Sequence, residues 1–288
     1  MFAGFNLNAE NEKDLKTFNE YYKNNVSSKK NALNGLRAFG KMNYNLSSEL
    51  EKYVIDGDAL NGNALTDDWF PSVKADIFIS HSHKDIELAK KLSDFFLAEF
   101  NLSCFIDSEV WKYAPDLLTK INDVYSEKQV TKDFGVLYNH EKSNLASQHV
   151  NLMLAAALHK MIDKTEMVIL LDTPNSLTNV DNIYKSADTF SPWIYSEAIC
   201  TQIVRHKELY MYRGGKECGY VRESLLHYDS DLKIKYSFTT SHMIPLTFDD
   251  LLRWAELWKE RNYRDSHKLF AEALDYLYIS KKIIGNKN

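Results

Sequence analysis

Residues 75–100 read ADIFISHSHKDIELAKKLSDFFLAEF. The opening run, Ala75 to Ser80, is short, apolar and rich in isoleucine and phenylalanine, which suits a strand buried inside a parallel sheet. Ser82 then stands three residues before Asp85 like the start of a capping box. Leu88, Ala89, Leu92, Phe95 and Phe96 recur at helical spacing, predicting a helix that runs to about Phe100. A buried strand feeding directly into an amphipathic helix is the first half of a βαβ unit, and the alternation continues outward. Ser103 to Asp107 (SCFID) predicts a second strand, Leu145 to Lys164 a helix rich in alanine and leucine, and Met167 to Leu171 (MVILL) the most clearly buried strand. The fold class is therefore α/β, with a mainly parallel sheet flanked by helices.

Toward the C-terminus, Ser191-Pro192 reads as an N-cap with proline at the first helical position, predicting a helix from Pro192 to about Lys207. Met243 to Leu246 is a candidate last strand, and Thr247 to about Lys282 reads as a helical tail in which Trp254 and Trp258 are packing residues. Upstream, Leu15, Phe18, Tyr22 and Val26, and a second apolar set from Leu33 to Val54, predict a helical layer. It closes in an Asp-, Asn- and Gly-rich loop from Asp56 to Asp68. The expected division is a helical extension over 1–70 and an α/β domain over 71–288 that includes the C-terminal helices.

Composition removes several function classes. With 44% hydrophobic and 26% charged residues the chain buries a real core, and a net charge of −5 is a poor match for a protein that coats nucleic-acid phosphates. No glycine occurs over 63–134 or 136–213, so neither a P-loop nor a GxGxxG turn follows the predicted strands. Cys104, Cys200 and Cys218 are too few and scattered for a disulfide framework, and His81-x-His83 lacks further ligands nearby in sequence, so no metal is assigned. No run of 18 apolar residues and no signal-peptide pattern at the N-terminus is found; a cytoplasmic chain with no membrane span is the expectation.

The residues that could carry chemistry gather at the predicted carboxyl edge of the sheet. Glu197 lies one turn after Trp193 on the Pro192 helix, so a carboxylate and an aromatic plate share a face. The plain alternative is a solvated glutamate near a helix N-terminus beside a core tryptophan. Ser80, His81, Ser82 and His83 end the first predicted strand and enter its helix, where backbone N–H groups suit phosphate or ribose oxygens; the alternative is a polar turn whose serine is only a cap. Asp107 and Trp111 could line the same edge, the indole stacking on a flat ring or simply covering the core.

Three segments, Asp76-Ile-Phe-Ile-Ser-His-Ser-His-Lys-Asp85, Ser103-Cys-Phe-Ile-Asp107 and Ser191-Pro-Trp-Ile-Tyr-Ser-Glu197, in this order and spacing, resemble the Toll/interleukin-1 receptor (TIR) domain family. The resemblance covers about residues 74 to 247. It implies a flavodoxin-like sheet with a pocket between the first strand, the loop after the second, and the S-x-W-x-x-x-E helix. In that reading Glu197 matches the catalytic glutamate, while Ser80, His81, Ser82, Asp107, Trp111, Ser191 and Trp193 line the substrate pocket. The implied substrate is NAD, consumed rather than held as a cofactor and cleaved to nicotinamide and ADP-ribose or a cyclic isomer. The implied setting is Thoeris-like anti-phage defence, with a phage-derived trigger, TIR self-assembly and a downstream effector that recognises the product. Two readings from other classes stand beside it: a non-enzymatic TIR adaptor, and a nucleoside deoxyribosyltransferase-like enzyme. Two features depart from the family pattern: the long segment after the second strand lacks the usual loop glycine, and about 70 residues precede the domain.

Overall fold

The strands expected at Ala75–Ser80 and Met167–Leu171 are direct neighbours in the computed structural model, which describes residues 1–29, 50–55, 59–107, 114–181, 185–212, 234–264 and 273–284. The chain opens with β1 (Ala3–Asn8), α1 (Glu12–Tyr21), β2 (Val54–Ile55), β3 (Ala59–Leu60) and α2 (Gly62–Trp69). Then come β4 (Ile77–Ser80), α3 (Ile86–Phe100), β5 (Cys104–Phe105), α4 (Ala114–Tyr125), β6 (Gln129–Thr131), β7 (Gly135–Leu137), α5 (His140–Lys164) and β8 (Met167–Asp172). The remainder is β9 (Thr178–Asp181), β10 (Ser186–Thr189), α6 (Pro192–Ile203), β11 (Tyr236–Thr239), β12 (Ile244–Leu246), α7 (Phe248–Arg264) and α8 (Ala273–Ser280).

Five strands form one parallel sheet in the order β12–β1–β8–β4–β5. The two-residue period of β4 sorts its side chains. Ile77 and Ile79 join Ala89, Leu92, Phe95 and Phe96 of α3 on one face, while Phe78 meets Val150, Leu158 and Met161 of α5 on the other. Every residue of β4 and β8 is buried, as a strand covered on both faces requires. Helix α3 stops at Asn101, whose φ of 56° makes the left-handed C-cap that asparagine tolerates better than most residues. Helices α1, α3, α7 and α8 cover one face, and α2, α4, α5 and α6 the other.

The α/β class and the flanked parallel sheet are as expected, but the N-terminal region differs from its reading. Rather than belonging wholly to a helical layer, residues 3–8 form a strand between β8 and β12, and the sheet therefore crosses the proposed boundary at residue 70. The cause is visible in AGFNLN: Ala3, Phe5 and Leu7 alternate with Gly4, Asn6 and Asn8, and the three apolar side chains enter the α1/α3/α7/α8 core. Without β1 the remaining order is β5–β4–β8–β12, a doubly wound arrangement with one slot that the N-terminal strand fills.

Other segments also depart from expectation. Most of the Asp56–Asp68 loop is β3 and α2, the helix being capped by Asn61, which accepts from Ala64 N. The polar stretch after β8 contains β9 and β10, which with β11 make a small antiparallel sheet against α6. The Pro192 helix ends at Ile203 rather than near Lys207. The second apolar set of the N-terminal layer falls mostly in 30–49, outside the described residues.

Candidate functional site

In open α/β sheets a crevice forms where consecutive connections leave to opposite faces, at the carboxyl ends of the two strands concerned. Here α3 leaves β4 over one face and α6 follows β8 over the other, so that point lies between β4 and β8. Ser80 ends β4 and Asp172 ends β8.

Ser80 follows Phe78 on the α6 side of the sheet. Its Oγ donates to Glu197 Oε2 at 2.5 Å, joining two residues 117 positions apart. Helix α6 is set by the local signals read in sequence: Ser191 is the N-cap and accepts from Ile194 N at 3.3 Å, and Pro192 opens the first turn. Ile194 and Ala198 turn toward the small antiparallel sheet, and Cys200 toward the α5 core. Glu197 lies between them, only 4% exposed. Burial pushes its carboxyl well above the usual carboxylate range, Asp107 adds to the rise, and the Ser80 hydroxyl opposes it.

Asp107 stands two residues beyond the end of β5, with its side chain partly exposed. His81 is turned inward, its Nδ1 3.2 Å from the carbonyl of Ile79 and 3.7 Å from Asp107 Oδ1. Ser82 caps the short turn His83–Asp85, accepting from Lys84 N. Trp193 is half-buried against the α5-side core. Trp111 lies outside the described residues. The structure thus joins Glu197 to Ser80 by a hydrogen bond, sets His81 beside Asp107, and puts Ser82 in the β4 loop and Ser191 at the head of the helix that carries Glu197.

A polar network that the sequence did not reveal fixes the two loops of the crevice. Asp85, expected as a capping-box partner, accepts from Thr173 Oγ1 at 2.6 Å, Asn175 Nδ2 at 2.7 Å and Ser176 Oγ at 3.2 Å. Ser176 Oγ accepts from Ser82 N, and Ser176 O accepts from Thr189 Oγ1, which in turn accepts from Ser191 N. A continuous chain of bonds therefore runs from the β4 loop through the β8 loop to the N-terminus of α6. The run Thr173-Pro-Asn-Ser176 is dense in turn-forming polar residues, but nothing in it names a partner about 90 residues away. Behind Glu197, Ser196 Oγ lies 2.9 Å from His159 Nε2 of α5, a histidine whose burial lowers its pKa.

This edge is well suited to holding one carboxyl group in a chosen protonation state. Burial favours the neutral acid, while the serine donor, or a cation brought alongside, favours the carboxylate. Among the described residues no group of three or more His, Cys, Asp or Glu side chains could hold a metal ion, and no helix is long and apolar enough to cross a membrane. Cys104 and Cys200 are free and buried. Two hollows on the described surface lie elsewhere, one along α1 and one between α2 and α5. No family model, curated protein or solved structure matches the chain.

Proposed function

We propose that the protein is a TIR-type enzyme that cleaves the bond between nicotinamide and ribose in NAD, yielding a nucleotide signal in anti-phage defence. The observation that carries this reading is the meeting of Glu197 and Ser80 at the carboxyl end of β4, between the motif segments that resemble the family. The reaction asks little of the protein in proton transfer. The C1′–N bond breaks with its electron pair going to the pyridinium nitrogen, so nicotinamide leaves neutral and needs no general acid. An ordinary glycoside, in contrast, requires two carboxyl groups. The deficit falls on the ribose, and a carboxylate beside it steadies the oxocarbenium-like centre. That effect is worth about 3–4 kcal/mol if comparable to one oxyanion-hole group. Water then adds at C1′ with loss of a proton to give ADP-ribose, or a nucleophile of the same nucleotide closes a cyclic isomer.

The raised pKa of Glu197 fits a cationic substrate. Empty, the site favours the neutral acid; the positive nicotinamide ring favours the carboxylate, so substrate binding and loss of the Glu197 proton reinforce each other. The test is incubation of the purified protein with NAD, alone and with phage-infected extract, followed by mass spectrometry of the products. Nicotinamide with an equimolar ADP-ribose isomer is expected, and Glu197→Gln should lower the rate by about 10²–10³-fold. No nicotinamide under either condition overturns the proposal.

The burial of Glu197 against Ser80 also favours a second reading, a non-enzymatic TIR-type adaptor in which that pair is structural. Defence activity that survives Glu197→Gln in a folded protein would select it.

A further inference from the structure

Across β1 and β8, Asn6 and Asp172 form a pair outside the proposed reaction. The parallel register sets Asn6 opposite Leu170 and Asn8 opposite Asp172, so Asn6 and Asp172 are diagonal neighbours. Asn6 Nδ2 donates to Asp172 Oδ2 at 3.0 Å. Asp172 is 2% exposed, and the other oxygen of each group, Asn6 Oδ1 and Asp172 Oδ1, is buried without a hydrogen-bond partner. With Asp172 ionised, both atoms can only accept, and two buried acceptors lack donors, a costly arrangement in a dry interior.

One proton resolves both. We propose that Asp172 is a carboxylic acid in the folded protein, its Oδ1–H donated to Asn6 Oδ1, so that the two side chains close a cyclic acid–amide pair latching β1 to β8. The proton passes to Asp172 from solvent, no covalent bond other than O–H is made, and the existing Asn6 N–H to Oδ2 bond is kept. The surroundings agree. Burial raises the pKa of Asp172, the Asn6 donor opposes that rise, and the charge of Glu10, just after β1, adds to it. Of the polar groups on the packed elements, Asn6 and Asn8 on β1 and Ser80 on β4 are uncharged, and Glu197 on α6 is a carboxyl whose own pKa is raised.

The latch follows the sign of linkage for a raised acid. The folded chain binds the Asp172 proton more tightly than the unfolded chain does. Its contribution is therefore complete below the ordinary carboxylate range and is lost as pH climbs through the folded value. Above that value two lone pairs face each other and the end of β1 loosens.

Asp172→Asn is the discriminating variant, because an amide in that place donates and accepts as the neutral acid does. Thermal unfolding of both proteins between about pH 4 and pH 9 should give coincident Tm values at the acid end. Toward the alkaline end Asp172→Asn should be higher by a few degrees. In the wild-type protein the ¹³Cγ resonance of Asp172 should keep its carboxylic-acid position at a pH where exposed aspartates have moved to the carboxylate position. An Asp172→Asn protein that fails to fold, that is less stable at every pH, or whose difference from wild type is flat with pH, overturns the latch, as does an ionised Asp172 at mildly acidic pH. Each readout concerns folding and protonation, so absence of NAD cleavage leaves the outcome intact.

Discussion

Glu197 is held by one hydroxyl and repelled by one carboxylate, and these neighbours move its proton in opposite directions. If the ionised form does the chemistry, the acidic limb of kcat/KM reports the Glu197 proton in the free enzyme. Ser80→Ala removes the donor that favours the carboxylate, so that limb should move to higher pH. Asp107→Asn removes the negative neighbour that disfavours it, so the limb should move to lower pH. Rate profiles of NAD cleavage for the two variants decide the matter, and shifts in the same direction would show that the proton being read belongs to another group. The residue types at this edge were legible because motif and spacing named them: Ser80 ends an apolar strand, and Ser191-Pro192 fixes the helix phase that carries Glu197. The protonation state was not legible. The plain alternative in the sequence was a solvated glutamate near a helix N-terminus, whereas residues remote in sequence bury Glu197 and raise its pKa.

Between elements, what holds the crevice in shape is the bond chain from Ser82 through Ser176 and Thr189 to Ser191, with Asp85 as its main acceptor. Asp85→Ala strands the buried donors of Thr173 and Ser176 and weakens the tie between the loop after β8 and the loop after β4, leaving the bond from Ser82 N to Ser176 Oγ. The expected cost is about 2–4 kcal/mol in urea unfolding, well above that of an exposed helix cap. A loss below about 0.5 kcal/mol would mean that the network is solvated rather than structural. Elements with a strong local period were read correctly: α3 from its Leu and Phe stripe, β8 from MVILL, and the Trp254 helix from packing, Trp254 stacking on Phe100 at 3.8 Å. The strands of the small antiparallel sheet were not individually legible. β9, β10 and β11 have four residues each, and their stability comes from a register with one another and from packing on α6, which local composition does not encode.

For the molecule as a whole, the decisive connection joins the first eight residues to the centre of the sheet. β1 pairs along its full length with β8 and is the neighbour that holds β12, so β12 reaches the sheet through it. Phe5, fully buried, stacks near-parallel with Tyr278 of α8 at 6.4 Å, and Phe18 of α1 packs on Phe248 of α7 and Phe95 of α3. The two ends of the chain and its middle thus share one core. Contacts so distant in sequence make unfolding cooperative, because removing β1 exposes the edge of β8 and detaches β12 together. Phe5→Ala should therefore cost about 3–5 kcal/mol. Its urea transition should remain single, coincident by far-UV circular dichroism and tryptophan fluorescence, with the midpoint lowered and the slope unchanged. If residues 1–70 instead behaved as a separate helical layer, the substitution would split the curve into two transitions, with the tryptophans of α7 reporting the later one.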